Sequence, residues 1–120
     1  MGWKFEANTP VFVQIADKIR KDIILRVYKP GEQLPSVRQL AADAAVNPNT
    51  VQRAMLLLEG EGLLCPKATV GLFVTSDEEA IDAARSAIKH QTVQRLFKEV
   101  QAIGITPEEL ISIVKENSFQ

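Results

Sequence analysis

Few octapeptides constrain a fold as tightly as Asn47-Pro48-Asn49-Thr50-Val51-Gln52-Arg53-Ala54. Asparagine is a strong N-cap, and proline fits the first helical position, where a missing N–H costs nothing. A helix therefore starts at Pro48. Beyond it Val51, Ala54, Met55 and Leu58 recur at spacings of three and four, which predicts one buried face. Asn49, Gln52 and Arg53 fall at i, i+3 and i+4 on another face, near the helix N-terminus. In a major groove Asn and Gln can pair with adenine and Arg bidentately with guanine, so this face has the chemistry of a recognition helix. A merely solvated face has the same composition, and the octapeptide by itself leaves both readings open.

The residues before and after it supply context. Thr9-Pro10 opens a first helix in the same way, and Val11, Phe12, Ile15, Ala16, Ile19, Ile23 and Val27 predict an amphipathic helix over residues 10–27. Lys29-Pro30-Gly31-Glu32 is a turn, and Gln33-Leu34 leaves room for only a very short strand. Ser36, with Gln39 three residues later, forms a capping-box pattern. Val37, Leu40 and Ala41 give the second helix its apolar face, ending near Asp43 or Ala44. A short turn then reaches Pro48, which makes a helix-turn-helix. Glu59-Gly60-Glu61-Gly62 ends the third helix. Leu63-Leu64-Cys65 and Leu72-Phe73-Val74 read as strands joined by a loop from Pro66 through Gly71.

Ser76 and Glu79 form another capping-box pattern at the start of a long helix. Ile81, Ala84, Ile88, Leu96, Val100 and Ile103 read as one apolar stripe, with Thr92 filling the gap, and Gly104 stops the helix. Thr106-Pro107-Glu108-Glu109 starts a last helix carrying Leu110, Ile111, Ile113 and Val114. A composition shift near Thr75–Asp77 divides the chain into residues 1–75 and 76–120. The expected fold is mainly α with a small β-hairpin: a winged helix-turn-helix followed by a two-helix C-terminal extension. About 45 residues in a helix pair cannot bury their own apolar stripe, so packing on a second copy is the economical expectation. Folding back on the winged helix is the alternative.

Charge divides along the same line. Residues 1–75 carry nine Lys/Arg against seven Asp/Glu, and residues 76–120 carry five against eight. A net of +2 on the first part gives a monomer little electrostatic hold on phosphates, so firm DNA binding requires a dimer. The 120 residues are 46% hydrophobic and 24% charged, which suits a globular chain with one core. No apolar run has the length of a membrane span, no signal-peptide pattern opens the chain, and Glu6 breaks the myristoylation motif begun by Met1-Gly2. The single cysteine excludes an internal disulfide, and a cytoplasmic protein without a membrane partner is expected. Cys65 reads as a small core residue of its strand. His90 lacks converging ligands, and no Ser/His/Asp set, phosphate loop or paired carboxylates are legible, so neither metal, cofactor nor catalysis is expected.

Several pieces in order and spacing resemble the GntR family of bacterial transcription regulators. They are Pro10-Val11-Phe12-Val13-Gln14-Ile15, Lys29 through Ala41, Val46 through Arg53, Leu58-Glu59-Gly60-Glu61-Gly62-Leu63 and Gly71-Leu72-Phe73-Val74. The Asn-Pro-Asn-Thr-Val version and the short two-helix tail look most like the YtrA subfamily. Larger members append effector-binding domains for which a tail of this length has no room. The resemblance implies a homodimeric, repressor-type regulator on a pseudo-palindromic double-stranded operator, with a DNA surface of second-helix, third-helix and wing residues. Arg38 matches an arginine that family members direct at DNA, and Asn49, Thr50, Gln52 and Arg53 match the third-helix contact region. Lys67 and Thr69 are the wing candidates. The wing Lys67-Ala68-Thr69-Val70-Gly71 departs from the family's basic-x-Gly-basic-Gly pattern, which weakens the expectation of a minor-groove contact. Ile81, Ala84, Ile88, Leu96, Val100 and Ile103 are the expected dimerisation residues.

Other readings remain beside this one. The same module could be gated by an unidentified small-molecule effector, or the winged helix could bind protein instead of DNA. Arg53 could pair with Glu59 or Glu61 instead of a base.

Overall fold

A computed structural model describes residues 2–117. Its elements are α1 (Val11–Ile24), α2 (Val37–Ala44), α3 (Pro48–Gly60), β1 (Leu64–Lys67), β2 (Gly71–Val74), α4 (Glu78–Ala102) and α5 (Pro107–Glu116). The expected class holds: a mainly helical chain with one antiparallel hairpin. Two compact units divide it, the first ending at Arg85 and the second beginning at Ser86, inside α4.

The first unit is built on the faces its spacing predicts. Ile15, Ile19 and Ile23 of α1 meet Val51, Met55 and Leu58 of α3, all essentially inaccessible to solvent. Leu40 and Ala41 of α2, with Leu63, Leu64 and Val74 of the hairpin, close the same core. Each fully buried large aliphatic side chain contributes about 1.5–3 kcal/mol relative to exposure. Arg20 joins α1 to the end of α3, donating to both Glu61 carboxylate oxygens at 2.8 and 2.6 Å and to Asp17 at 2.7 Å. The Glu61 hydrogen bond raises the Arg20 pKa above its ordinary value, against the opposing effect of burial.

Helix ends depart from the sequence reading where a distant residue decides them. Thr9 does not cap α1; Pro10 occupies the N-cap with no side-chain bond. Gln14 instead turns back, donating to the Thr9 carbonyl at 2.8 Å and exchanging hydrogen bonds with the Glu6 backbone. Helix α1 also stops three residues early. Arg26 takes a left-handed φ of 64°, and the Val27 N–H turns to the Asp22 carbonyl at 2.8 Å, leaving Val27 outside the helix and exposed. That conformation usually falls to Gly or Asn. Here the guanidinium of Arg26 is held by both carboxylate oxygens of Glu78, at 2.7 and 2.8 Å.

The turn between α2 and α3 has Ala45 in the left-handed region, φ 58°. Ser36 accepts the Gln39 N–H and Asn47 accepts the Asn49 N–H, so both residues cap their helices, although among the described residues the Gln39 side chain does not return the bond that a capping box needs. The hairpin pairs Leu64 with Val74, Cys65 with Phe73, Pro66 with Leu72 and Lys67 with Gly71. It runs longer than predicted, through Pro66, whose missing N–H an edge strand tolerates. Strand alternation corrects the reading of Cys65: Leu64 faces the core, so Cys65 faces solvent. Gln33 forms a single antiparallel bridge with Phe73, and the Leu34 N–H donates to the Leu72 carbonyl at 2.9 Å, which places this segment along β2.

The start of α4 is corrected too. Thr75 is held by its N–H to the Leu63 carbonyl, which carries the extended chain past β2. Asp77, not Ser76, then caps the helix, accepting the Glu79 N–H at 3.0 Å. A carboxylate there also suits the positive end of the helix dipole. In the second unit, Gly104 at φ 77° ends α4, and Thr106 and Glu109 form a complete capping box on α5.

Candidate nucleic-acid interface

The same cap that fixes α3 also aims its polar face. With Val51, Ala54, Met55 and Leu58 fully buried, Asn49, Gln52 and Arg53 are turned outward along the first two turns, and all three are exposed. Thr50 is half-buried beside them, and Arg38 is exposed at the second residue of α2. These are short helices whose buried sides share one core, so their exposed sides are fixed by packing.

The hairpin tip and α3 border a shallow, open groove of about 460 Å³. Gln52, Lys67 and Thr69 line it, together with Val37, Glu59 and Val70. The structure thus brings Gln52 of the third helix to the two wing candidates. Arg38, Asn49, Thr50 and Arg53 are not among the groove-lining residues. Thr69 sits at the tip with a left-handed φ of 61°. The tip is tied down by Gln33, whose side-chain amide donates to the Val70 carbonyl at 2.8 Å. Gly71 follows at φ 140°, and a Cβ built there would meet the Gln33 amide nitrogen at 2.8 Å. The positive φ favours glycine at that point, and a Cβ there would push on the end of the Gln33 side chain that holds Val70.

Two of the candidate cations rest on aromatic rings. The Arg53 guanidinium lies 4.2 Å from the centroid of Phe12 on α1, and the Lys67 ammonium lies 4.3 Å from that of Phe73 on β2. Among the described residues Arg53 forms no ion pair with Glu59 or Glu61; Glu61 is taken by Arg20. Phe12 and Glu59 were not legible as parts of this surface. Phe12 falls on the core repeat of α1, and nothing in its spacing distinguishes an aromatic that also supports a cation on another helix.

The expected dimerisation residues divide. Ile81 is only 2% exposed and belongs to the core of the first unit, with Ala84 packed against it. Both are occupied within the protomer. Beyond Ser86, Leu96 is 43% and Ile103 74% exposed, while Ile88 and Val100 are half-buried. Val93 and Phe97 are exposed as well, at 40% and 43%.

No helix among the described residues is long and apolar enough to cross a membrane. Residues 12–74 match the family described as bacterial regulatory proteins, gntR family. The HTH-type transcriptional repressor YtrA of Bacillus subtilis (strain 168) is 31% identical over 114 residues, covering 93% of this chain and 87% of that protein. The uncharacterized HTH-type transcriptional regulator YhcF of the same organism is 30% identical over 115 residues, 96% of this chain and 95% of that one. Among solved structures, a GntR family transcriptional regulator from Listeria monocytogenes aligns with a TM-score of 0.87 at 32% identity, covering 95% of this chain and 100% of the other.

Proposed function

The chain belongs to the GntR family of bacterial regulatory proteins and is a DNA-binding transcriptional regulator, and on that premise we propose that it works as a cytoplasmic homodimeric repressor on a pseudo-palindromic operator. The observation that carries the DNA-reading part is the outward face of α3, where Asn49, Gln52 and Arg53 are exposed over a fully buried opposite side. Base edges would be read by these three, while Arg38, Thr50, Lys67 and Thr69 would hold backbone. The repressor role is carried over from the relative named as a transcriptional repressor.

Dimerisation is supported by apolar surface that the described protomer leaves uncovered in the second unit: Val93, Leu96, Phe97 and Ile103 of the α4 segment and Ile111, Ile113 and Val114 of α5. A patch of this kind on a short helix pair marks an interaction surface. A symmetric dimer places two α3 helices on half-sites about 10 bp apart or a multiple of that.

The test uses the full chain and an operator selected by it from a pool of random-sequence duplexes. The wild type should sediment as a dimer and bind the palindrome far more tightly than one half-site. The double substitution Leu96→Glu, Phe97→Glu should yield a folded monomer that loses this advantage. Equal affinity of the wild type for half-site and palindrome, or a variant that remains dimeric, refutes the proposal.

A further inference from the structure

Arginine reads a guanine only when its planar fork is turned edge-on to the base, and a free arginine side chain samples many orientations. Arg53 is not free. Its guanidinium carbon lies 4.2 Å from the centroid of the Phe12 ring, at the second residue of α1, which packs against α3. Stacking on a ring uses the guanidinium face, whose attraction to the negative face of the aromatic is electrostatic. A guanidinium lying flat on the ring would keep its five N–H donors, which lie in its plane, available. Rotamer freedom that would otherwise be lost on binding is thus restricted beforehand.

We propose that Phe12 is a positioning residue for operator recognition: it touches no base, but holds Arg53 with its donor edge presented for a guanine. This rests on the assignment of α3 as the base-reading helix. The Lys67–Phe73 pair at 4.3 Å makes a useful contrast. An ammonium is a point charge without a plane to orient, so the same stack there does not select among bases.

The experiment compares wild type, F12L, F12Y, R53A and the F12L/R53A double variant, all full length. Each is titrated against a palindrome selected by the wild type from random-sequence duplexes, and against a shuffled duplex of equal composition. F12L should lower the cognate-to-shuffled affinity ratio about two- to fivefold, the size of an exposed cation–π contact. F12Y, which retains the ring, should keep the wild-type ratio. In the R53A background F12L should change the ratio no further, since the coupling runs through Arg53.

A DNA-free readout accompanies this. The Arg53 Nε–H resonance should be shifted by the ring current in wild type and F12Y, and should move to its unstacked position in F12L. If F12L melts near the assay temperature, F12M keeps bulk without a ring and takes its place. An unchanged ratio in F12L, or an equal loss with and without Arg53, overturns the positioning role. A wild type that selects no sequence overturns the base-reading assignment and this role with it. Successful selection and an R53A defect, without a Phe12 effect, overturn the positioning role only.

Discussion

Ile81→Ala tests whether the start of α4 belongs to the winged-helix core or to an interface between copies. The substitution removes three carbons from a site 2% exposed. At ~0.8 kcal/mol per buried methylene the transfer loss is roughly 2.4 kcal/mol. The unfilled space left behind raises the expected cost to about 3 kcal/mol, within the ordinary span for a core Ile→Ala change. Urea unfolding followed by circular dichroism, at two protein concentrations tenfold apart, separates the two roles. A core residue lowers stability equally at both concentrations and leaves the dimer dissociation constant in place. An interface residue would produce a loss that grows on dilution and vanishes in the monomeric Leu96→Glu, Phe97→Glu background. A change smaller than about 1 kcal/mol, or one confined to the dilute sample, would refute the placement of Ile81.

Lys67→Ala should weaken binding to cognate and shuffled duplexes by similar factors and reduce the salt slope by about one, as read by anisotropy at two ionic strengths. The Glu78 carboxyl is held below the usual carboxylate range by its hydrogen bonds from Arg26. Its stabilising contribution is therefore present above that range and lost as pH falls through the lowered value. Glu78→Gln should accordingly be less stable than wild type at pH 7, with the difference shrinking as pH falls below the usual carboxylate range, measured from urea midpoints. Thr106→Ala breaks the α5 capping box and should cost about 1 kcal/mol locally, read as faster amide exchange in the first turn of α5 with the α1–α3 core unaffected.

What the sequence shows well is what short-range chemistry decides. Asn47 and Pro48 set the start of α3 by contacts within three residues, and the buried face Val51, Ala54, Met55 and Leu58 follows from helical period alone. Arg26 is the opposite case. Nothing near it in the chain predicts a left-handed arginine, because its partner Glu78 is 52 positions away. Cys65 was misplaced because Leu63-Leu64-Cys65 is uniformly apolar, so alternation had no polar residue to mark the outer face. The apolar residues of α4 share a helical spacing, but spacing alone does not show that Ile81 is buried in the first unit while Leu96 stays 43% exposed in the second. On the candidate nucleic-acid surface, residue type identified Asn49, Gln52 and Arg53 as candidates. Phe12 was hidden because an aromatic on the core repeat of α1 gives no sign that α3 brings a cation onto its ring.

The Gln33 amide has a mechanical consequence. It grips the Val70 carbonyl at the wing tip, yet it sits only three residues before Ser36, the cap of α2. The Leu34–Leu72 backbone bond fastens the same segment alongside β2. The hairpin bearing Lys67 and Thr69 is therefore tied to the segment that leads directly into the helix bearing Arg38. If Arg38, Lys67 and Thr69 hold phosphates as proposed, a loosened fastening would change the span of backbone the two grips can meet.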